Sequence, residues 1–360
     1  MSAISRRKAS HLELCIREDV ESHGRTLLDE VHLFHEALPE LSCSEVDPAV
    51  ELLGRRLLAP VLISGMSGGT DEARNLNRAL ATAAQKHGLG MGVGSQRAML
   101  LDPSSVESYR VREVAPDVLL LGNLGAVQAR AAGPTRVARL AEEIGADALC
   151  IHLNVAQELV QDEGDRDFRG CLATLADLVN GLSIPIVVKE TGCGFSPRTL
   201  GRLRDVGIRW VDVSGAGGTT WAGVEALRGS PRQQALGAEL REWGIPTAAA
   251  VVFARRAGLR TIASGGIRSA ADVVRSLALG ADAVSLALPF LRAYAEGGVT
   301  GVLGAAGRLI EGVRALMLLT GARQVVDLRR VPRGLGPGLR SWIDAGDGES
   351  ADEGARSPRN

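Results

Sequence analysis

Eight short apolar runs recur along the chain, each ending in glycine or a polar residue and each followed by a helical pattern. They are PVLISGM (60–66), LGMGVGSQR (89–97), DVLLLGNLG (117–125), DALCIHLN (147–154), IPIVVKETG (184–192), IRWVDVSGAGG (208–218), LRTIASGGIR (259–268) and ADAVSLALP (281–289). Continuous apolar runs alternating with helices indicate parallel strands buried on both faces. Most lie about 30 residues apart, the spacing of a repeated strand–helix unit. Eight such units predict one closed (β/α)8 barrel over residues 59–330, in preference to an open doubly wound sheet.

The bulk properties agree with that reading. The chain has 360 residues, 45% of them hydrophobic and 23% charged, with 44 glycines for tight turns at strand ends. A net charge of −1 gives no field that would favour nucleic acid. The five cysteines, Cys15, Cys43, Cys150, Cys171 and Cys193, form no CxxC pair or zinc spacing and read as reduced thiols. No run approaches the length needed to span a membrane, and the N-terminus has no apolar leader, so the expected location is the cytoplasm.

Residues 1–58 form an N-terminal extension, in which VHLFHEALPEL reads as a short structured cover. Two long βα segments enlarge one end of the barrel. VAQELVQDEGDRDFRG (155–170) follows the fourth strand; residues 219–258 follow the sixth and contain the helix candidate PTAAAVVFARR. Residues 331–360, rich in Gly, Asp, Glu, Ser and Pro, are expected to be disordered. EIGADALCIHL (143–153) and ALGADAVSLAL (278–288) echo each other. Either a duplicated half-barrel or two uses of a common helix-to-strand turn accounts for them.

In a barrel, polar residues at the C-terminal strand ends face the active site. Here these are Ser64 and Ser67; Ser95, Gln96 and Arg97; Asn123; His152 and Asn154; Lys189 and Glu190; Ser214 and Thr219; Ser264 and Arg268. Any one alone is as easily a cap or a satisfied core group; all eight ends being small or polar is harder to explain by structure alone. SGGIR after the seventh strand and ALPF after the eighth suit a phosphate, bound by glycine amides and a helix N-terminus, the alternative being a plain tight turn. SGMSGG (64–69) and SGAGGT (214–219) let a flat ring approach backbone. Lys189, at the end of an apolar strand, suits a developing anion unless a carboxylate pairs with it. His152, Asn154, Gln157 and Glu158 cluster in one loop, where a carboxylate together with substrate phosphates can hold Mg2+. The other acidic residues of that loop, and the basic cluster RRKASH (6–11), read as solvated.

Taken in order, RKxxH at Arg7, Lys8 and His11, GMSGG, GVGSQR, NLG, HLNxxQE, VKE, SGxGGTxW, SGGIR and ALP resemble the type 2 isopentenyl-diphosphate isomerases, an FMN-dependent family. The resemblance covers about residues 6–325. SGGIR turns occur in many FMN barrels, whereas HLNxxQE together with RKxxH is specific. The resemblance implies flavin contacts from Gly65, Met66, Ser67, Ser95, Asn123, Lys189, Ser214 and Thr219. It places the flavin phosphate at Gly266, Ile267, Arg268, Ala287 and Leu288. The substrate diphosphate falls to Arg7, Lys8, Ser95, Gln96 and Arg97, with His152, Asn154 and Gln157 nearby, and Mg2+ to Glu158. Ser67 stands where the family usually has Thr and keeps the hydroxyl. The implied reaction interconverts isopentenyl and dimethylallyl diphosphate, in isoprenoid precursor synthesis. It is a redox-neutral 1,3-proton shift with reduced FMN, and NADPH serves as flavin reductant. Gln157, His152, Lys189 and Glu225 are the candidate catalytic groups, although Glu225 reads equally as a surface helix residue. Such barrels often associate, so a homo-oligomer is expected.

Two other readings remain. An FMN-dependent hydroxy-acid oxidase or dehydrogenase shares the phosphate turn but needs a histidine base where this chain has SGAGG. A non-catalytic phosphate-binding barrel has no need of eight polar strand ends.

Overall fold

The computed structural model describes residues 3–355 in backbone and residues 10–347 in side chains. Eight parallel strands close into a barrel in chain order. They are β1 (Val61–Ile63), β2 (Gly90–Gly92), β3 (Leu119–Gly125), β4 (Ala148–Leu153), β5 (Ile186–Glu190), β6 (Trp210–Asp212), β7 (Arg260–Ala263) and β8 (Ala283–Leu286). Each lies within one of the eight apolar runs. Closure comes from β8 against β1, with Val284 opposite Val61 and Leu286 opposite Ile63.

Five helices matter for the site: α1 (Ala3–Arg17), α2 (Val155–Val160), α3 (Trp221–Arg228), α4 (Leu288–Leu319) and α5 (Pro337–Ala355). α4 is broken at Gly297 and Gly298, whose backbone angles are not helical. The helix expected within PTAAAVVFARR runs from Thr247 to Arg256, and its alanines pack the outside of the barrel.

The barrel interior has its own apolar cluster. Leu62, Leu119, Leu121, Ala148, Cys150, Val187, Ile262 and Ala283 fill it from the strands. Leu52 and Leu57 close it from below, carried on a hairpin of 50–52 against 55–57. Leu53 and Gly54 turn that hairpin with positive φ values of 51° and 81°, the conformation a two-residue connection needs to match strand twist.

The two echoed segments do equivalent work at this lower end. Asp147 accepts the Leu120 amide at 2.9 Å and pairs with Arg55 and Arg112. Asp282 accepts the Thr261 amide at 2.7 Å and pairs with Arg260 and Arg329. In each case the carboxylate ties its own strand to the preceding one.

The expectation of disorder over residues 331–360 is corrected for the described part of that tail; residues 356–360 lie outside the described residues. Residues 333–335 pair antiparallel with 31–33. The first turns of α5 bury Leu339 and Ile343. Composition averaged over the tail concealed these two apolar residues, which lie four apart on one helix face. The N-terminal extension likewise joins the mouth. The Ser22 amide donates to Gly218 O at 2.7 Å, and the Thr220 amide to Val20 O at 2.9 Å.

Candidate active site

The position of the polar groups follows from strand periodicity. Side chains two apart on a strand share a face, so the residues two places beyond the interior cluster form a layer above it. Leu62 leads to Ser64, Leu121 to Asn123, Cys150 to His152, Val187 to Lys189, Ile262 to Ser264 and Ala283 to Ser285; each of these upper residues lines one cavity at the C-terminal mouth. β2 offers mainly backbone, through Gly90, Gly92 and Gly94. The space between the walls, open mouth included, is about 1480 Å³.

Most residues proposed for the site line this cavity: Gly65, Met66, Ser95, Arg97, Asn123, His152, Asn154, Gln157, Glu158, Lys189, Ser214, Thr219, Gly266, Ile267, Arg268, Ala287 and Leu288. Three do not. Gln96 is fully buried and turned away; its Nε2 donates to Leu140 O at 2.7 Å and its Oε1 accepts the Asn123 amide at 3.0 Å. It splints β3 to the neighbouring helix and has no open group for a diphosphate, which corrects the sequence expectation. Ser67 lies just behind the wall, its Oγ buried without a hydrogen-bond partner. Glu225 stands in a layer behind Gln157. The side chains of Arg7 and Lys8 lie outside the described residues, although their backbone belongs to α1.

At one side of the mouth α2, α3 and α1 converge on a single carboxylate. Gln157 and Gln161, one helical turn apart, both donate to Glu225 Oε1, at 2.9 and 2.6 Å. His11 Nε2 reaches the same oxygen at 2.9 Å, and Arg228 lies 3.5 Å from Oε2. Burial works to raise this carboxyl. The hydrogen bond and charge of His11, with Gln157 and Arg228, outweigh burial and hold it below the ordinary carboxylate range. Trp221 packs edge-on against the His11 ring at 5.3 Å. Glu225 is therefore no surface residue: it is 4% exposed.

Glu158 points the other way from α2. Its Oε1 accepts from Asn154 Nδ2 at 2.8 Å and its Oε2 from the Asp165 amide at 2.8 Å. Among the described residues no three His, Cys, Asp or Glu side chains gather to hold a metal. A cation at Glu158 therefore needs phosphate oxygens and water to complete its shell, as Mg2+ commonly does. Across the cavity His152 Nδ1 lies 2.8 Å from Asn123 Oδ1, which orients the ring.

On the floor, Lys189 Nζ sits 3.2 Å from Asp212 Oδ2 and 3.4 Å from Ser264 Oγ, and Ser264 Oγ also bonds Asp212 Oδ1. The carboxylate partner of Lys189 is thus Asp212, on the adjacent strand. Glu190 faces the other way and accepts the amides of Thr191 and Gly192, each at 2.7 Å, and that of Cys193.

The loops after β6 and β7 pack backbone to backbone. A Cβ on Gly218 would fall 2.1 Å from the Gly266 amide, and one on Gly65 would fall 2.0 Å from Val93 O. Ser214 begins the β6 loop at a φ of 35°, a left-handed conformation costly for a side-chain-bearing residue. Ala287, ahead of α4, has no capping side chain, so the first amides of that long helix are available to an anion. Arg268 borders the same corner, held by Glu21 of the extension at 2.6 Å. These features fit FMN: a flat floor above Lys189, an orphaned hydroxyl at Ser67, and a phosphate corner of glycine amides and a helix N-terminus.

A parallel barrel with such a mouth defines the class of FMN-dependent barrel enzymes. The FMN-dependent dehydrogenase family model matches residues 153–331. Solved structures of mandelate oxidase share the fold. The complex with (S)-mandelic acid has a TM-score of 0.63 at 20% identity, covering 90% of this chain and 97% of that one. Full-length relatives go further. An isopentenyl-diphosphate delta-isomerase of Methanothrix thermoacetophila is 45% identical over 91% of this chain and 92% of its own length. Those of Halobacterium salinarum and Pyrococcus furiosus are 45% and 41% identical, each over 94% of this chain and over 95% and 88% of their own. The chain belongs to the isopentenyl-diphosphate delta-isomerase family. No helix among the described residues is long and apolar enough to cross a membrane.

Proposed function

We propose that this chain interconverts isopentenyl and dimethylallyl diphosphate by a 1,3-proton shift with no net redox change. The observation that carries the reading is the buried Glu225 carboxylate, held by His11 and Gln157 at the edge of a cavity whose floor is Lys189. In that arrangement Gln157 orients the reacting end of the substrate, Glu225 in the layer behind fixes the Gln157 amide and can relay a proton, and His152 stands across the mouth. Bound reduced FMN supplies an electron-rich face and acid–base capacity next to the alkene.

The flavin is held by Gly65, Met66, Ser67, Ser95, Asn123, Lys189, Ser214 and Thr219, with its phosphate at Gly266, Ile267, Arg268, Ala287 and Leu288. The diphosphate is met by Arg97, Ser95 and Asn154, with the N-terminal extension bringing Arg7 and Lys8. Arg97 supports this assignment: it half-lines the cavity, and no side-chain partner of its guanidinium is seen among the described residues. Glu158 would hold Mg2+ beside the diphosphate. NADPH would serve as the flavin reductant, and the enzyme works in the cytoplasm as a homo-oligomer.

The test is product formed against NADPH oxidised in an anaerobic cuvette with FMN and Mg2+. Many product molecules per reducing equivalent are expected, with loss of activity in air. A one-to-one stoichiometry would instead indicate the hydroxy-acid oxidase or dehydrogenase reading. Against that alternative stands the β6 loop, Ser214–Gly218, which carries no histidine base.

A further inference from the structure

Lys189, Asp212 and Ser264 occupy three adjacent strand ends, with Lys189 and Asp212 opposite each other in register. Only Lys189 and Ser264 line the cavity; Asp212 is 4% exposed and lies beneath them. Its oxygens are engaged by Lys189 on one side and Ser264 on the other. The remaining ionisable neighbours do not replace this partner. Cys150 shares the interior, and burial pushes its thiol up to about 12, so it stays neutral. Glu190 points to the opposite face of β5, tied to the amides that follow it.

An ammonium has three N–H donors. Asp212 and Ser264 take two of those on Lys189, which leaves one for the cavity. A buried lysine without a counter-charge would present a full positive charge in low dielectric, where it acts strongly on anything above it. Paired with a buried carboxylate, it presents a fixed donor with little net charge.

We propose that Asp212 is a positioning residue that holds Lys189 as an electroneutral pair beneath the flavin ring, offering the ring one directed hydrogen bond in place of a free positive charge. This rests on the flavin reading above. Its consequence is a reduced ring whose negative charge is only partly compensated. Such a ring stays electron-rich toward an electron-deficient alkene, and it holds its transferable proton less acidically than it would over an isolated lysine.

The test is an anaerobic redox titration of the FMN-loaded protein against a reference dye, read from the visible spectrum. Asp212→Asn leaves Lys189 uncompensated. At the potential that half-reduces the wild type, its reduced-to-oxidised flavin ratio should rise at least tenfold, about 30 mV for a two-electron couple. Lys189→Met with Asp212→Asn removes both charges together, a change that buried pairs commonly tolerate. Its ratio should stay within about threefold of the wild type. An unchanged or lower ratio in Asp212→Asn overturns the proposal. So does a tenfold fall in the double variant, which would mean that Lys189 acts as a free cation. If Asp212→Asn does not fold, the double variant decides alone. A wild type that binds no flavin refutes the cofactor reading itself, and that result is seen before any variant is compared.

Discussion

Gln157 on α2 and Glu225 on α3 are 68 positions apart in the chain and meet through a 2.9 Å hydrogen bond at the mouth of the barrel. That contact joins the insertion after β4 to the insertion after β6, and His11 brings the N-terminal extension to the same oxygen. Three segments outside the barrel frame therefore depend on one carboxylate.

Glu225 should give the protein an acid-sensitive component of stability. Its native pKa is depressed, so its contribution is complete above the ordinary carboxyl value of 4.5 and is lost as pH falls through the lower native value. Glu225→Gln should cost about 2 kcal/mol at neutral pH, the scale of charged hydrogen bonds left unmade. The gap should close as pH falls below both values. Urea unfolding of the two proteins across pH 3–7 measures it. A constant gap would mean that the ionised form is not what His11 and the glutamines hold.

Arg97→Ala should raise KM for the diphosphate far more than it lowers kcat. A guanidinium lining the cavity, with no carboxylate partner among the described residues, suits a phosphate in bidentate fashion. The loss should be about 2–5 kcal/mol in kcat/KM, the range for a buried charged contact. Steady-state kinetics on isopentenyl diphosphate check it. An unchanged KM would place the diphosphate elsewhere.

Glu158→Gln should weaken the dependence on Mg2+ and lower turnover while the protein still binds FMN. Its two oxygens are fixed by Asn154 and the Asp165 amide, so the carboxylate is already aimed before any cation arrives. Activity titrated with Mg2+ alongside flavin absorbance separates the two effects. Turnover equal to the wild type at limiting Mg2+ would remove Glu158 from the metal site.

Gly218→Ala should weaken FMN binding at least about tenfold, or 1.4 kcal/mol. The added Cβ would meet the Gly266 amide and push the β6 and β7 loops apart at the phosphate corner. Fluorescence titration with FMN reads the affinity. Circular dichroism reports whether the barrel itself persists.

The barrel and most of its mouth were legible because each strand is a local statement. An apolar run ends in a polar group two places above a core residue, as Val187 leads to Lys189 and Ile262 to Ser264. What sequence did not reveal depends on contacts between distant segments. Gln96 sits beside two cavity residues, yet its amide is drawn into the gap toward Leu140, a choice made by packing. Sequence allowed a carboxylate partner for Lys189 but did not single out Asp212, which the register of the adjacent strand supplies. Only the fold brings Glu21 onto Arg268. The hairpin of 50–57 plugs the barrel floor, but too few residues form each strand for alternation to register.

The pairing of β8 with β1 has a consequence for the newly made chain. Val61 and Val284 are joined in register although roughly 220 residues separate them, and a ribosome adding about 5–20 residues per second needs on the order of ten to forty seconds to span that interval. Throughout that time the nascent sheet has an open edge at β1, whose Val61, Leu62 and Ile63 are all buried in the finished molecule. An exposed edge of this kind invites pairing with other chains. High-level expression should therefore favour aggregation, and slowed synthesis at low temperature should not cure it by itself, because slower translation also prolongs the open state. Holdase chaperones that cover the edge until Leu286 emerges should be the more effective remedy.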